Sequence, residues 1–292
     1  MAKPTEVKGL RARTPLSKAA ALLLSARLSD VRRHQNRLRG QPARSAVHDT
    51  RVSTRRLRAA LKIFGNKQLD GYDKQVKQFQ DALGRVRDLQ LQLQWLASQD
   101  RSHAAALRPI VSEQRRKLQS RNRELKDRLA RWRKRTEAAL VRSLGAYRAA
   151  GRLGGRKMRR HLQKRLKRVV PQLKVFGDSS DPASLHRLRI ALKKLRYDVE
   201  LLAPAFPAYA GLALSVFGPL QGELGAVHDQ DVRLELLKSF LDKASARNGD
   251  ELAALIAEVL EEREKEVQAL SKKIEWLVAE RIPERLRKLL DW

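Results

Sequence analysis

The feature of this sequence that most constrains its fold is a basic amphipathic segment that occurs twice. The first copy, VHDTRVSTRRLRAALKIF, spans Val47–Phe64, and the second, LHRLRIALKKLRYDVELL, spans Leu185–Leu202. The two align without gaps, so that a histidine heads each copy and basic residues recur at the same spacing. The matched pairs are His48 with His186, Arg51 with Arg189, Arg55 with Lys193, Arg56 with Lys194, and Arg58 with Arg196.

The spacing of the basic residues predicts a helix with one cationic face. At 100° per residue they fall within a strip about 80° wide and about 20 Å long, while leucines occupy the opposite face. We call these surfaces the first basic strip (His48, Arg51, Arg55, Arg58 and Lys62) and the second basic strip (His186, Arg189, Lys193 and Arg196). Arg56 and Lys194 lie beside the strip centres.

A row of like charges at helical spacing costs a few tenths of a kcal/mol per pair. Such a row is either a solvated helix face or a surface for an anion. Acidic residues usually alternate with basic ones on a solvated face, and they are nearly missing here. The exception is Glu200, at the position that matches Lys62. The pattern therefore favours an anion-binding surface.

A second motif extends the repeat beyond one helix. FQDALGRVRDLQLQLQWL, Phe79–Leu96, aligns with LQGELGAVHDQDVRLELL, Leu220–Leu237, and His228 stands where the first copy has Arg87. Basic segments that begin RRH precede both copies, so the order of elements is kept. We predict an all-α fold of two tandem four-helix bundles, related by internal duplication with pseudo-twofold symmetry.

Glycine and proline mark the expected helix ends, and strand signals are weak throughout. We predict a disordered basic tail at residues 1–14, a first bundle at 15–150 and a second bundle at 151–292. The predicted helices are Pro15–Arg39, Ser45–Phe64, Leu69–Ser98, Leu107–Tyr147, Arg156–Val175, Pro182–Ala203, Ala205–Leu241 and Asp250–Glu280, with a short terminal piece from Pro283.

The net charge of the chain indicates the kind of partner that it binds. The chain has 63 Lys and Arg against 32 Asp and Glu, a net charge of +31, and 42% of its residues are hydrophobic. This composition supports a folded core and predicts a polyanionic partner. Cysteine is absent, which excludes disulfides and thiolate metal sites. No signal peptide or membrane-spanning stretch is predicted, and a cytoplasmic location is expected.

The histidine-led basic helices, each followed by a Leu-Gly…Asp helix, resemble the conserved histidine α-helical domain family, CHAD. The resemblance covers roughly residues 16–290. It implies two four-helix bundles whose basic faces line a shared groove for inorganic polyphosphate. Some family members carry a fused triphosphate tunnel domain with an ExExK strand. This chain has no such motif and so resembles a free-standing member.

We therefore predict a non-catalytic polyphosphate-binding module that targets polyphosphate granules. The predicted contacts are the two strips, their flanking residues and four groove-wall residues on the preceding helices: His48, Arg51, Arg55, Arg56, Arg58, Lys62, His186, Arg189, Lys193, Lys194, Arg196, Arg33, Arg37, Lys164 and Arg165. A bound polyanion would favour protonated histidines. Asp88 and Asp229 are predicted to orient arginines.

Other functions fit the sequence less well than polyphosphate binding. No nucleophile–base pair or P-loop is present, so an enzyme is not predicted, and neither a cofactor nor a metal is expected. Phosphate contacts alone would also permit sequence-nonspecific nucleic-acid binding. Aromatic residues are only 5% of the chain and none lies on the first strip, which argues against base stacking. An accessory subunit of a polyphosphate-metabolising enzyme is a third possibility. Oligomeric state is not encoded in these patterns.

Overall fold

The computed structural model describes residues 3–65, 67–99, 103–145, 147–178, 181–242 and 244–291, and within them the protein is all-α. The only pairing of extended backbone recorded in those residues is an isolated bridge between Pro15 and Arg152. The α-helices are α1 (Leu16–Gln35), α2 (Arg44–Ile63), α3 (Lys67–Leu96), α4 (Ala104–Arg131), α5 (Ala138–Gly145), α6 (Arg156–Asp178), α7 (Pro182–Leu202), α8 (Pro207–Leu241), α9 (Ala246–Ala279) and α10 (Ile282–Lys288).

The helices begin and end close to the predicted positions, and one predicted α-helix contains a π-helical segment. The predicted helix Leu107–Tyr147 is interrupted by a π-helical turn, Trp132–Glu137, which connects α4 to α5. Helix α8 continues through Pro219 without ending there. The beginning of α7 follows capping chemistry, because the Asp181 side chain accepts hydrogen bonds from the backbone N–H groups of Ala183 and Ser184 at 2.9 and 3.0 Å.

The chain divides into two compact units. The first comprises residues 1–94, 113–158 and 204–206. Its core lies between α1, α2 and α3, where Leu24, Leu57 and Leu83 are completely buried. The Tyr147 hydroxyl donates a 2.8 Å hydrogen bond to the carbonyl of Phe64 and so joins the end of α2 to the segment after α5.

The second unit comprises residues 95–112, 159–203 and 207–292. In its core the last turn of α3 and the first turns of α4 pack against α8 and α9, through Leu96, Ile110, Leu237 and Leu255. The compact units therefore differ from the predicted halves 15–150 and 151–292, because residues 95–112 pack with helices of the second half. The internal duplication stays a prediction.

The N-terminal residues make specific contacts, unlike the disordered tail predicted for residues 1–14. The backbone N–H and the hydroxyl of Thr5 donate to the nearly inaccessible carboxylate of Asp30. Leu10 is buried, and the carbonyl of Ala12 accepts from Gly154 at 2.8 Å. A buried carboxylate needs donors, and this segment supplies them. Residues 1–2 lie outside the described part of the chain.

In the ranges that the structure describes, every helix is too short or too polar to span a bilayer.

Candidate functional site

The first basic strip lies on α2 and is partly open to solvent. Val47, Leu57 and Leu61 turn the opposite face into the core. The strip residues His48, Arg51, Arg55 and Arg58 are half-buried, and Lys62 at the end of the strip is exposed. This distribution follows the predicted amphipathic pattern, since the aliphatic stems are covered while the charged ends remain near water.

Helix α3 holds the middle of the strip in place. A Cβ atom at Gly84 would lie 3.4 Å from Arg51 Nε, so the glycine allows the guanidinium to approach the α3 backbone closely. Asp88, one helical turn further along, lies 3.9 Å from Arg51 Nη2. The predicted orienting role of Asp88 agrees with this geometry. The Leu-Gly…Asp motif of α3 therefore positions the Arg51 side chain.

The far end of the first strip is occupied by an ion pair that the sequence analysis missed. Arg58 donates to both carboxylate oxygens of Asp73, at 2.8 and 3.3 Å, and to the Gln80 side chain at 3.4 Å. Lys62 lies 3.8 Å from the same carboxylate. Because Asp73 neutralises this end of the strip, we expect its first two turns to contribute more to anion binding.

His48, at the head of the first strip, has a lowered pKa. Burial is the main cause, and the positive charge of Arg87 on α3 adds to it, while Asp49 acts in the opposite direction. The imidazole is therefore mainly neutral at pH 7 in the ligand-free protein. An anion bound at the strip would have to overcome this bias in order to protonate the ring.

The second basic strip lies on α7, and its residues are likewise divided between exposed and half-buried positions. His186 is exposed, Arg189 and Lys193 are half-buried, and Lys194 beside them is exposed. The rings of His186 and His228 lie 5.6 Å apart, centroid to centroid. His228 is the residue that aligns with Arg87, so in both units the leading histidine faces the same position of the Leu-Gly…Asp helix.

The last arginine of the second strip is also neutralised. Arg196 donates to Glu200, one turn further along α7, at 2.9 Å, and to Gln221 of α8 at 3.4 Å. Gln221 aligns with Gln80, so the two copies share this arginine–glutamine contact. The aligned pair FQ and LQ at the start of the second motif was the available sequence signal for these glutamines.

The flanking residues have different environments. Arg56 is buried, with 8% of its surface exposed, whereas its counterpart Lys194 is exposed. A buried guanidinium cannot meet a polymeric ligand without rearrangement. Arg56 is therefore a weaker candidate for direct contact than the strip residues.

In the first unit the predicted groove-wall residues make intramolecular ion pairs. Arg33 binds Asp30 and donates to the Thr5 hydroxyl at 2.9 Å. Arg37 donates to Asp49 at 3.0 Å. About half of each side chain remains exposed, so both still contribute positive potential.

In the second unit Lys164 is exposed, but Arg165 has a structural partner. Asp198, only 2% exposed, accepts hydrogen bonds from Arg165 and lies 2.7 Å from His161 Nε2. These contacts join α6 to α7. Arg165 thus stabilises the unit in which the second strip lies.

The arrangement has the chemistry of an anion-binding surface. Guanidinium groups provide planar pairs of N–H donors for phosphate oxygens. Among the described residues, no three or more His, Cys, Asp or Glu side chains are grouped so that they could hold a metal ion.

Both units are helical, and each carries a basic strip that begins with a histidine. These features place the protein in a class of all-α proteins with histidine-headed basic helices. The CHAD domain family model matches residues 22–216, and the chain belongs to that family. The CHAD domain crystal structure from the plant Ricinus communis aligns with a TM-score of 0.72 and 21% identity, covering 94% of this chain and 96% of that one.

A second solved structure shares the fold. PptA from Streptomyces chartreusis aligns with a TM-score of 0.60 and 16% identity, over 90% of this chain and 99% of that one. No curated protein matches by sequence.

Proposed function

We propose that this protein binds inorganic polyphosphate along its two basic strips, as a non-catalytic module that attaches to polyphosphate granules in the cytoplasm. The observation that carries the proposal is the matched arrangement of α2 and α7. Each helix presents a histidine followed by two half-buried cations, ahead of an arginine that a carboxylate neutralises.

The geometry of Arg51 supports a role in binding. Its guanidinium is seated against Gly84 and near Asp88, so fewer rotamers are lost when a ligand binds. The carboxylate of Asp88 is 59% exposed, which leaves the site accessible from solvent. A preorganised planar donor suits phosphate oxygens better than a freely rotating one.

The ligand class follows from what the strips contain. They supply charge and N–H donors at helical spacing, and in the described residues Tyr197, which lies beside the second strip, is buried. Single-stranded nucleic acids are usually held by exposed aromatic rings as well as cations. A chain of phosphates without bases needs only the cations, and so it matches the strips more closely.

The test measures binding of labelled long-chain polyphosphate at about 0.15 M salt, with DNA, RNA and short phosphates as competitors. One variant combines Arg51→Gln with Arg55→Gln, and another combines Arg189→Gln with Lys193→Gln. The control combines Arg116→Gln with Arg123→Gln, which removes the same charge from exposed positions on α4.

We expect each strip variant to lose at least about tenfold in affinity, since a charge-assisted hydrogen bond contributes about 1.5–3 kcal/mol. The control should change affinity by less than about twofold. Equal losses in the strip variants and the control would show that only net charge matters. DNA or RNA competing as well as polyphosphate would replace the proposal with nonspecific nucleic-acid binding.

A further inference from the structure

A second basic surface lies within the first unit, on another side of α3. It is a cleft of about 560 Å³ between α3 and the end of α4, including the π-helical turn. At 100° per residue, Gln75 and Gln78 of its lining fall on the side of α3 opposite Asp73 and Gln80, which face the first basic strip. The cleft is therefore separate from the strip.

Aromatic packing fixes the floor of the cleft. Phe79 and Trp132 stack with their centroids 5.8 Å apart and their planes at 12°, and both are almost completely buried. The Trp132 indole N–H donates to the Gln35 side chain of α1 at 2.6 Å. The amide of Gln35 in turn donates to Glu137 at 2.9 Å.

The π-helical turn explains why two residues five apart reach the same partner. In a π-helix the hydrogen bonds run from i to i+5, so Trp132 and Glu137 both project toward Gln35. This turn also directs Thr136 toward α3, where its hydroxyl donates to Gln75 at 2.6 Å. Such turns are frequent at functional sites, and here the turn holds one wall of the cleft.

The charges of the cleft come from three arginines of one helix segment, Arg128, Arg131 and Arg135. Arg128 donates to Gln78 at 3.2 Å, and the side chains of Arg131 and Arg135 are exposed. Among the described residues that line the cleft there is no Asp or Glu. Three cations therefore face a polar cavity whose lining supplies no counterion.

We propose that this cleft binds the oligophosphate group of a small molecule. Three guanidinium groups within about two helical turns match two or three linked phosphates better than a single carboxylate. The volume lies in the usual range for sites that hold one small ligand. The Thr136 and Gln75 side chains supply further polar groups on the walls.

Calorimetric titration with inorganic tripolyphosphate and with a nucleoside triphosphate tests the proposal on the full chain. The cleft variant combines Arg131→Gln with Arg135→Gln, both at exposed positions that folding tolerates. The matched control is Arg116→Gln with Arg123→Gln. A third protein, Arg51→Gln with Arg55→Gln, reports on the strip, and circular dichroism checks that all variants fold.

The cleft variant should lose at least about tenfold in affinity for both ligands, whereas the control should stay within about threefold of the parent protein. A loss in the strip variant as large as that in the cleft variant would place the ligand on the strip and overturn the proposal. Equal affinities in the cleft variant and the control would overturn the proposal. Binding of the nucleoside triphosphate without binding of tripolyphosphate would also overturn it, because the phosphates would then not be the recognised group. Long-chain polyphosphate binding is measured separately, so a failure here leaves the function of the strips unaffected.

Discussion

Arg55 and Arg58 lie one turn apart on the same basic strip, yet the structure predicts opposite consequences when each is replaced by glutamine. Arg58 makes two charge-assisted hydrogen bonds to Asp73, and the two side chains are 15% and 18% exposed. Breaking a buried pair costs about 3–5 kcal/mol and an exposed pair less than about 1 kcal/mol. For this intermediate burial, and with Lys62 still 3.8 Å from Asp73, we expect Arg58→Gln to lower the free energy of unfolding by about 2 kcal/mol.

Arg55→Gln should have the opposite effects: little change in stability and a clear loss of polyphosphate affinity. Arg55 is half-buried but has no ion pair recorded among the described residues, so we expect Arg55→Gln to change the free energy of unfolding by less than about 1 kcal/mol. Its loss should weaken polyphosphate binding about tenfold and reduce the slope of log affinity against log salt by about 0.7. Arg58→Gln should change affinity by less than about twofold and leave the slope unaltered.

Two assays decide between these profiles. Urea unfolding followed by circular dichroism gives the stability of each variant, and fluorescence anisotropy of labelled polyphosphate over a salt series gives affinity and slope. If Arg58→Gln loses affinity and salt slope while Arg55→Gln keeps both, Asp73 does not neutralise the strip as the structure indicates. The assignment of the binding segment to the first two turns would then be wrong.

Further predictions concern the supporting residues. Gly84→Ala and Gly225→Ala should each gain up to about 1 kcal/mol of stability from helix propensity. Only Gly84→Ala should weaken polyphosphate binding, and by no more than a few-fold, because its methyl group would lie in van der Waals contact with Arg51 whereas Gly225 has open space. Titration calorimetry and urea melts of both variants check this. Polyphosphate binding should tighten from about pH 8 to about pH 5.5 as bound His48 takes up a proton, still rising below pH 6.5 because the pKa of the free ring lies below that value, and His48→Gln should flatten the profile. Asp198→Asn should lower the free energy of unfolding by about 3 kcal/mol, measured in urea, because Arg165 and His161 lose a buried carboxylate that accepts from both α6 side chains.

The helices could be predicted from sequence because their signals are local. The leucine face of α2 and the Pro182 and Asp181 pair at the start of α7 determine periodicity and capping within one turn of chain. The π-helical turn could not be predicted in the same way. It satisfies Gln35, a residue about a hundred positions earlier, and such a requirement appears only when the helices pack.

The same distinction applies to the candidate site. Helical spacing alone predicts that Arg51, Arg55 and Arg58 share a face, and it treats their charges as equivalent. Their environments differ because α3 places Gly84 beside Arg51 and Asp73 beside Arg58. These partners are distant from the strip in sequence and cannot be predicted from helical spacing. A row of cations therefore shows where an anion could bind, but it does not show which cations are already engaged by other side chains.

In both strips a carboxylate neutralises the arginine near the end, but that carboxylate comes from a different helix in each. Arg58 is neutralised by Asp73 from the next helix, whereas Arg196 is neutralised by Glu200 of its own helix. Each arginine nevertheless keeps its contact with an aligned glutamine. The contact with the glutamine of the next helix, which both copies share, indicates that this arginine fastens the basic helix to its neighbour. Mutations that probe ligand binding therefore belong in the first two turns of each strip.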